Sequence, residues 1–132
     1  MKAKIVLGLS IILILPALAL AQGSAGLTVD DIRVCTAIED RQPVGADTSF
    51  DSNVGKLFCF TKLSGDQDSA VIYHVWYYND KETARTELSV RAKTWRTWSN
   101  KTIPNTWTGS WRVDILSSDG NVLGSMEFTV RE

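Results

Sequence analysis

The chain has 132 residues, 44% of them hydrophobic and 22% charged, with a formal net charge of −1. That length and balance fit one globular domain and leave no room for a second large one. Nine Gly, three Pro and mixed charge exclude collagen, a coiled coil and a disordered chain. A single His argues against a multi-histidine metal site, and nothing in the composition suggests a cofactor or a metal.

The chain opens as an export leader. Lys2 and Lys4 form a basic start, Ile5 to Leu15 is an apolar run, and Ala19 and Ala21 occupy the small-residue positions before a cleavage site. The expected signal peptide is therefore 1–21, with the mature chain starting at Gln22. The alternative is an uncleaved anchor, although Ile5 to Ala21 is only 17 residues, the lower limit for crossing a bilayer. No Cys follows the site, which disfavours a lipoprotein. With Lys2 and Lys4 gone from the 14 basic residues, 12 remain against 15 acidic ones, a net of −3. A mildly acidic, exported domain is a poor partner for nucleic acid or an anionic membrane. The expected location is periplasmic or extracellular, with no membrane insertion after cleavage.

Residues 22–30 are small and polar and read as a linker before a domain over 31–132. Ile32, Val34, Thr36 and Ile38 alternate with a second set at period two, the pattern of a strand. Glu39 to Asn53 reads as a loop with one short strand near Phe50. Lys56 to Leu63 is the next strand, followed by a turn at Gly65 to Asp68. Ala70 to Tyr78 is the most β-prone segment, rich in branched and aromatic residues on both faces. After the Asn79–Lys81 turn, Glu82 to Ala92 fits either helical or strand spacing. The tight turn and its Thr and Val favour strand. Trp95 to Ser99 follows, then Ser110 to Ser117 with Trp111, Val113 and Ile115 on one face. A hairpin turn at Ser118–Asn121 leads to a last strand with Val122, Gly124, Met126, Phe128 and Val130 on one face. Seven to eight short strands with turns every 8 to 12 residues indicate an all-β fold. An antiparallel β-sandwich of Ig-like size is expected, with a β-barrel as the other option.

Two cysteines, Cys35 and Cys59, fall on separate predicted strands. An oxidising compartment favours a disulfide between them, worth on the order of 3 kcal/mol in the chain-entropy picture. Two buried free thiols are the alternative. Neither Cys sits in a catalytic pattern, since the chain has no CxxC.

Several stretches together carry a resemblance: CTAIEDRQPVG (Cys35 to Gly45), VGKLFCFTKLSG (Val54 to Gly65), IYHVWYYNDKE (Ile72 to Glu82), WRTWSNK (Trp95 to Lys101) and WTGSWRVDILSSDGNVLGSMEFTV (Trp107 to Val130). Together they resemble a family of bacterial envelope domains known as domain of unknown function 2914, over about residues 33 to 131. The resemblance implies an exported or membrane-tethered module, often joined to other domains. It implies no reaction and no catalytic residues.

Five Trp are many for such a chain. Mid-strand Trp76 and Trp111 read as core. Trp98 and Trp107 lie next to polar residues, and at least one of them is expected to be an exposed platform for a sugar ring or a protein anchor. Trp95 and Trp98 are three apart and should face opposite sides of a strand. Arg96, Lys101 and Arg112 are interleaved with these aromatics and could hold a carboxylate, or could simply pair with Asp80, Glu82 and Asp114. His74 shares a face with Trp76 and reads either as a structural residue or as a ligand-orienting one. The scattered carboxylates select no glycosidase pair, and no nucleophile-elbow, zinc-protease or phosphate-loop motif occurs.

The expected function is a non-catalytic, exported β-sandwich binding module. Its candidate ligand contacts are Trp98, Trp107, Arg96, Lys101 and His74, and its partner is a glycan-like ligand or an envelope protein. The alternatives are a small extracytoplasmic hydrolase and a purely structural interaction domain.

Overall fold

A computed structural model describes residues 26–132; the expected leader and cleavage site, 1–21, lie outside the described residues. Ten strands occur among the described residues: β1 (Thr28–Cys35), β2 (Ala37–Glu39), β3 (Gln42–Val44), β4 (Ser49–Asp51), β5 (Lys56–Ser64), β6 (Ala70–Tyr78), β7 (Lys81–Val90), β8 (Thr94–Thr102), β9 (Gly109–Ser117) and β10 (Val122–Arg131). They form a three-stranded sheet β1-β5-β8 and a five-stranded sheet β4-β10-β9-β6-β7, with β2 and β3 as a separate ribbon. The architecture is a sandwich, not a closed barrel. All pairings are antiparallel except the three-residue parallel pair between β4 and β10.

The seven expected strands are present, and Glu82 to Ala92 is resolved as strand β7. The short strand expected near Phe50 is β4, and the two strands beyond eight are the three-residue β2 and β3. They are too short to show a period in the sequence and exist through tertiary pairing. β1 begins at Thr28, inside the stretch expected as a linker, and Leu27 just before it is already buried in the core.

Residues paired across an antiparallel ladder share a face, so register decides what is inside. In the three-stranded sheet Val34, Leu57, Cys59, Thr61, Leu63 and Ser99 point inward. Against them the five-stranded sheet sets Ile72, His74, Trp76, Trp111, Val113, Ile115 and Phe128. Val122 drops out of the expected inward face of β10 and is 59% exposed, because the register shifts between Val122 and Gly124.

The expected disulfide does not form: Cys35 and Cys59 are both free and both buried. The reason is register. Cys35 pairs with Phe58 and Cys59 with Val34, so the two cysteines lie one step apart and face opposite sides of the sheet. Bridging them would require a one-residue slip that turns every other side chain of β1 inside out. Cys59 points into the core. Cys35 points outward and is covered by the ribbon, with the backbone of Ala37 and Val44 against it. Burial raises both thiols above their ordinary range.

The centre of the sandwich holds a chain of polar groups. Trp76 Nε1–H donates to Ser99 Oγ at 3.1 Å, and Ser99 Oγ lies 2.7 Å from His74 Nδ1. His74 Nε2 lies 3.2 Å from Thr61 Oγ1, which donates to the Thr97 carbonyl at 3.2 Å. Counting donors assigns the tautomer. The Thr61 proton is committed to the carbonyl, so His74 donates from Nε2 and accepts at Nδ1 from Ser99. Each donor then has one acceptor, and the imidazole is neutral.

Burial holds His74 at a pKa of about 3, well below the ordinary 6.5. Between those values the unfolded chain binds a proton that the folded one refuses. Stability from this group is therefore complete above about pH 6.5 and declines toward pH 3, by at most about 1.4 kcal/mol per pH unit. Urea midpoints measured from about pH 7 to pH 4.5 should fall more steeply for the parent than for His74→Gln. Equal slopes would contradict a buried neutral imidazole. For the cysteines, two thiols per chain should react in protein unfolded without reductant, and none quickly in the native state. A mass two daltons below the reduced value would contradict the free pair.

Candidate functional site

The five residues proposed as ligand contacts do not converge. His74 is fully enclosed between the sheets, so it reaches no surface ligand. Trp107 lies on the β8–β9 loop but is half-buried: its ring stacks on Tyr78 at 5.0 Å, and Trp111 stands 6.0 Å away. Tyr78 Oη donates to the Thr108 carbonyl, and Trp111 Nε1 to the Trp107 carbonyl. Trp107 therefore continues an aromatic column through Trp111 to Phe128 and Phe50. Lys101 Nζ, 5.7 Å from its ring centroid, caps that column. Trp76 and Trp111 are core as expected, whereas Trp98 and Trp107 are both half-buried and neither is a fully exposed platform.

Trp98 and Arg96 do share a surface, the outer face of the three-stranded sheet. The cross-strand rows there read Asp31–Lys62–Arg96 and then Arg33–Phe60–Trp98. Phe60, buried although it is on this outer face, stands directly beside Trp98 in the ladder. Trp95 points to the opposite side of β8, as its spacing requires.

The sequence reading missed Arg41. The ribbon strands β2 and β3 are joined by Asp40 and Arg41, both with positive φ (51° and 63°). A two-residue turn of this hand suits the twist of a hairpin, but Gly is the usual second residue. Arg in that place costs about 1 kcal/mol of backbone strain. Its side chain offsets the cost. The guanidinium lies 5.4 Å from the Trp95 ring centroid and 5.6 Å from that of Trp98, and it donates to the Arg96 carbonyl at 3.0 Å. Because β8 is an edge strand, one cation alongside it reaches aromatics on both faces. No local signal in EDRQ marks Arg41. A β-turn there is legible, but its docking on a strand 55 residues away is not.

The electrostatics of this face are unbalanced. Lys62 stands directly opposite Arg96, an unfavourable like-charge pair, with Arg41 on the carbonyl of Arg96. Among the described residues the carboxylate partners are taken by Arg33, Arg85 and Arg112, and none is bonded to Arg41, Lys62 or Arg96. Lys62 and Arg96 thus share the outer face with a half-buried indole that Arg41 touches, and Asp31 stands at the far end of their row, on a chain of net charge −1. An anionic group placed among them relieves their repulsion, and a ring lying on Trp98 gains apolar contact. Among the described residues no three His, Cys, Asp or Glu side chains gather as metal ligands.

Comparison with known proteins finds solved structures of low similarity and a family-model match over part of the chain. A beta-glucosidase from Kluyveromyces marxianus is similar over 81% of this chain, with 10% identity and a TM-score of 0.48. The GH3 beta-glucosidase of Bifidobacterium adolescentis is similar over 81%, with 7% identity and a TM-score of 0.46. This chain spans 14% and 17% of those two enzymes, less than a fifth of either. No curated protein matches. The resemblance quoted from about residue 33 is met by a family-model match that begins at residue 69 and runs through β6 to β10. Over residues 69–130 the chain matches the model of the family described as Protein of unknown function (DUF2914).

Proposed function

We propose that the protein is a non-catalytic binding module that holds an acidic, ring-bearing ligand, a glycan-like chain with carboxylates, on the outer face of the three-stranded sheet. One observation carries the reading: Lys62 and Arg96 stand opposite each other on the face that carries Trp98, Arg41 lies against that indole, and among the described residues no carboxylate is bonded to any of the three. Crowded cations are tolerated at a site whose ligand is an anion, because the ligand supplies the missing charge. The indole adds a stacking surface that a small inorganic ion would not need. In this reading Arg96 and Lys62 pair with carboxylates, Trp98 receives a ring, and Arg41 holds the indoles in place while leaving N–H donors free. Lys101, Trp107 and His74 act in folding instead.

Titration with oligosaccharides of uronic acid should quench tryptophan fluorescence saturably, and affinity should fall as salt rises. Lys62→Ala and Arg96→Ala should each weaken binding about tenfold, the size of one charge-assisted hydrogen bond. Equal binding of neutral oligosaccharides, or no response to acidic ones, would contradict the reading. Saturable binding of an acidic envelope protein instead would replace the glycan with a protein partner on the same face.

The reading includes export with removal of the leader. The intact mass of the exported protein should correspond to a start at Gln22. Retention of residues 1 to 21 would make the chain membrane-anchored instead.

A further inference from the structure

The opposite face of the sandwich carries a second surface, which does not depend on the basic face. A groove of about 450 Å³ opens beside β9 and β10, lined by Thr48, Asp80, Ser110, Arg112, Glu127 and Thr129 above Trp111 and Phe128. Its volume falls in the range of small-molecule sites.

The groove is preorganised from three separate parts of the chain. Arg112 is its fixed point. Its Nε donates to Asp114 at 3.0 Å, its Nη1 donates to Asp80 at 2.8 Å, and its guanidinium lies 4.2 Å from the Tyr77 ring centroid. Asp114, only 14% exposed, is itself held by Ser125 Oγ at 2.7 Å. Asp80 belongs to the β6–β7 turn, where Asn79 and Asp80 both take positive φ, and the Asn79 amide bonds the Ser110 carbonyl at 3.0 Å. Across the groove, the Thr129 amide bonds the Thr48 carbonyl at 2.9 Å. Two of the five guanidinium N–H groups are engaged by Asp114 and Asp80, which leaves donors for a ligand.

The lining has a definite chemistry. Three hydroxyls both donate and accept, two carboxylates accept, and one guanidinium donates. The carboxylates disfavour an anion, and Arg112 disfavours a cation. We propose that this groove binds a neutral polyhydroxylated ligand of one or two sugar rings. Sugar hydroxyls act as donor and acceptor at once, which matches alternating carboxylate, hydroxyl and guanidinium groups. Glu127 and Asp80 accept from ligand hydroxyls, and the free N–H groups of Arg112 donate to ligand oxygens.

Amide-resolved NMR of the protein, titrated with glucose, galactose, N-acetylglucosamine, cellobiose and maltose, tests this directly. The expected result is saturable shifts at Ser110, Arg112, Glu127 and Thr129 with at least one of these sugars. Glu127→Gln, at an exposed position, should weaken that sugar about tenfold while leaving the remaining spectrum in place. Ser110→Ala, also exposed, provides a second variant that spares the fold. No saturable shift in the groove with any of the five sugars would overturn the proposal. So would shifts confined to Lys62, Arg96 and Trp98, or an affinity unchanged by both substitutions. Because uronic-acid binding reads at those latter residues, either site can fail without the other.

Discussion

The two sheets are joined through hydrogen bonds as well as hydrophobic contact. Trp76 and His74 come from β6, Thr61 from β5, and Ser99 and the Thr97 carbonyl from β8. An apolar interface would tolerate sliding of one sheet over the other. A chain of directed hydrogen bonds in a dry interior does not, since any shift leaves a buried donor or acceptor unpaired at about 1 to 3 kcal/mol each. Ser99 is the pivot, as it accepts from the indole and donates to the imidazole. Among the described residues no buried side-chain nitrogen or oxygen lacks a partner. The register of β8 follows from this: Ser99 must point inward, so Trp98 and Arg96 must point outward.

That outward set makes the basic face, and the ribbon completes it. The ribbon covers Cys35 and brings Arg41 to the edge of β8. An open edge strand invites pairing with other chains, and a cation bonded to one of its carbonyls obstructs this. Arg41 therefore protects an edge and adds to the positive charge of the surface. On the other sheet, Arg112 is neutralised by Asp80 and Asp114, so the two faces of one small domain differ in charge although each carries arginine beside an aromatic ring.

The long strands were legible because each has one face in the core, which writes a period of two into the sequence. Trp111, Val113 and Ile115 are the clearest case, and Trp76 followed from its place in the most apolar run. The candidate site was legible only in part. Arg96 and Trp98 are two residues apart on one strand, so their shared face follows from spacing alone. Their partners Lys62 and Arg41 come from other strands, and strand pairing is not written locally. Trp107 stands among polar residues, which suggested exposure, yet Tyr78 from another strand covers it. The cysteines misled for a related reason. Chain separation and compartment favoured a bridge, whereas a single step of register set the two sulfurs on opposite sides of a sheet.

The sequence by itself determined the strand class, the inward faces of the long strands and the aromatic core, since these depend on local alternation and on the preference of apolar groups to leave water. Tertiary structure decided which strands are neighbours, and with it the free thiols, the protonation of His74, the seat of Arg41 and the grouping of cations. Those features depend on distances between residues far apart in the chain. Such distances are set by register across the sheets and by the hydrogen bonds that lock the sheets together, so they exist only once the sandwich has closed.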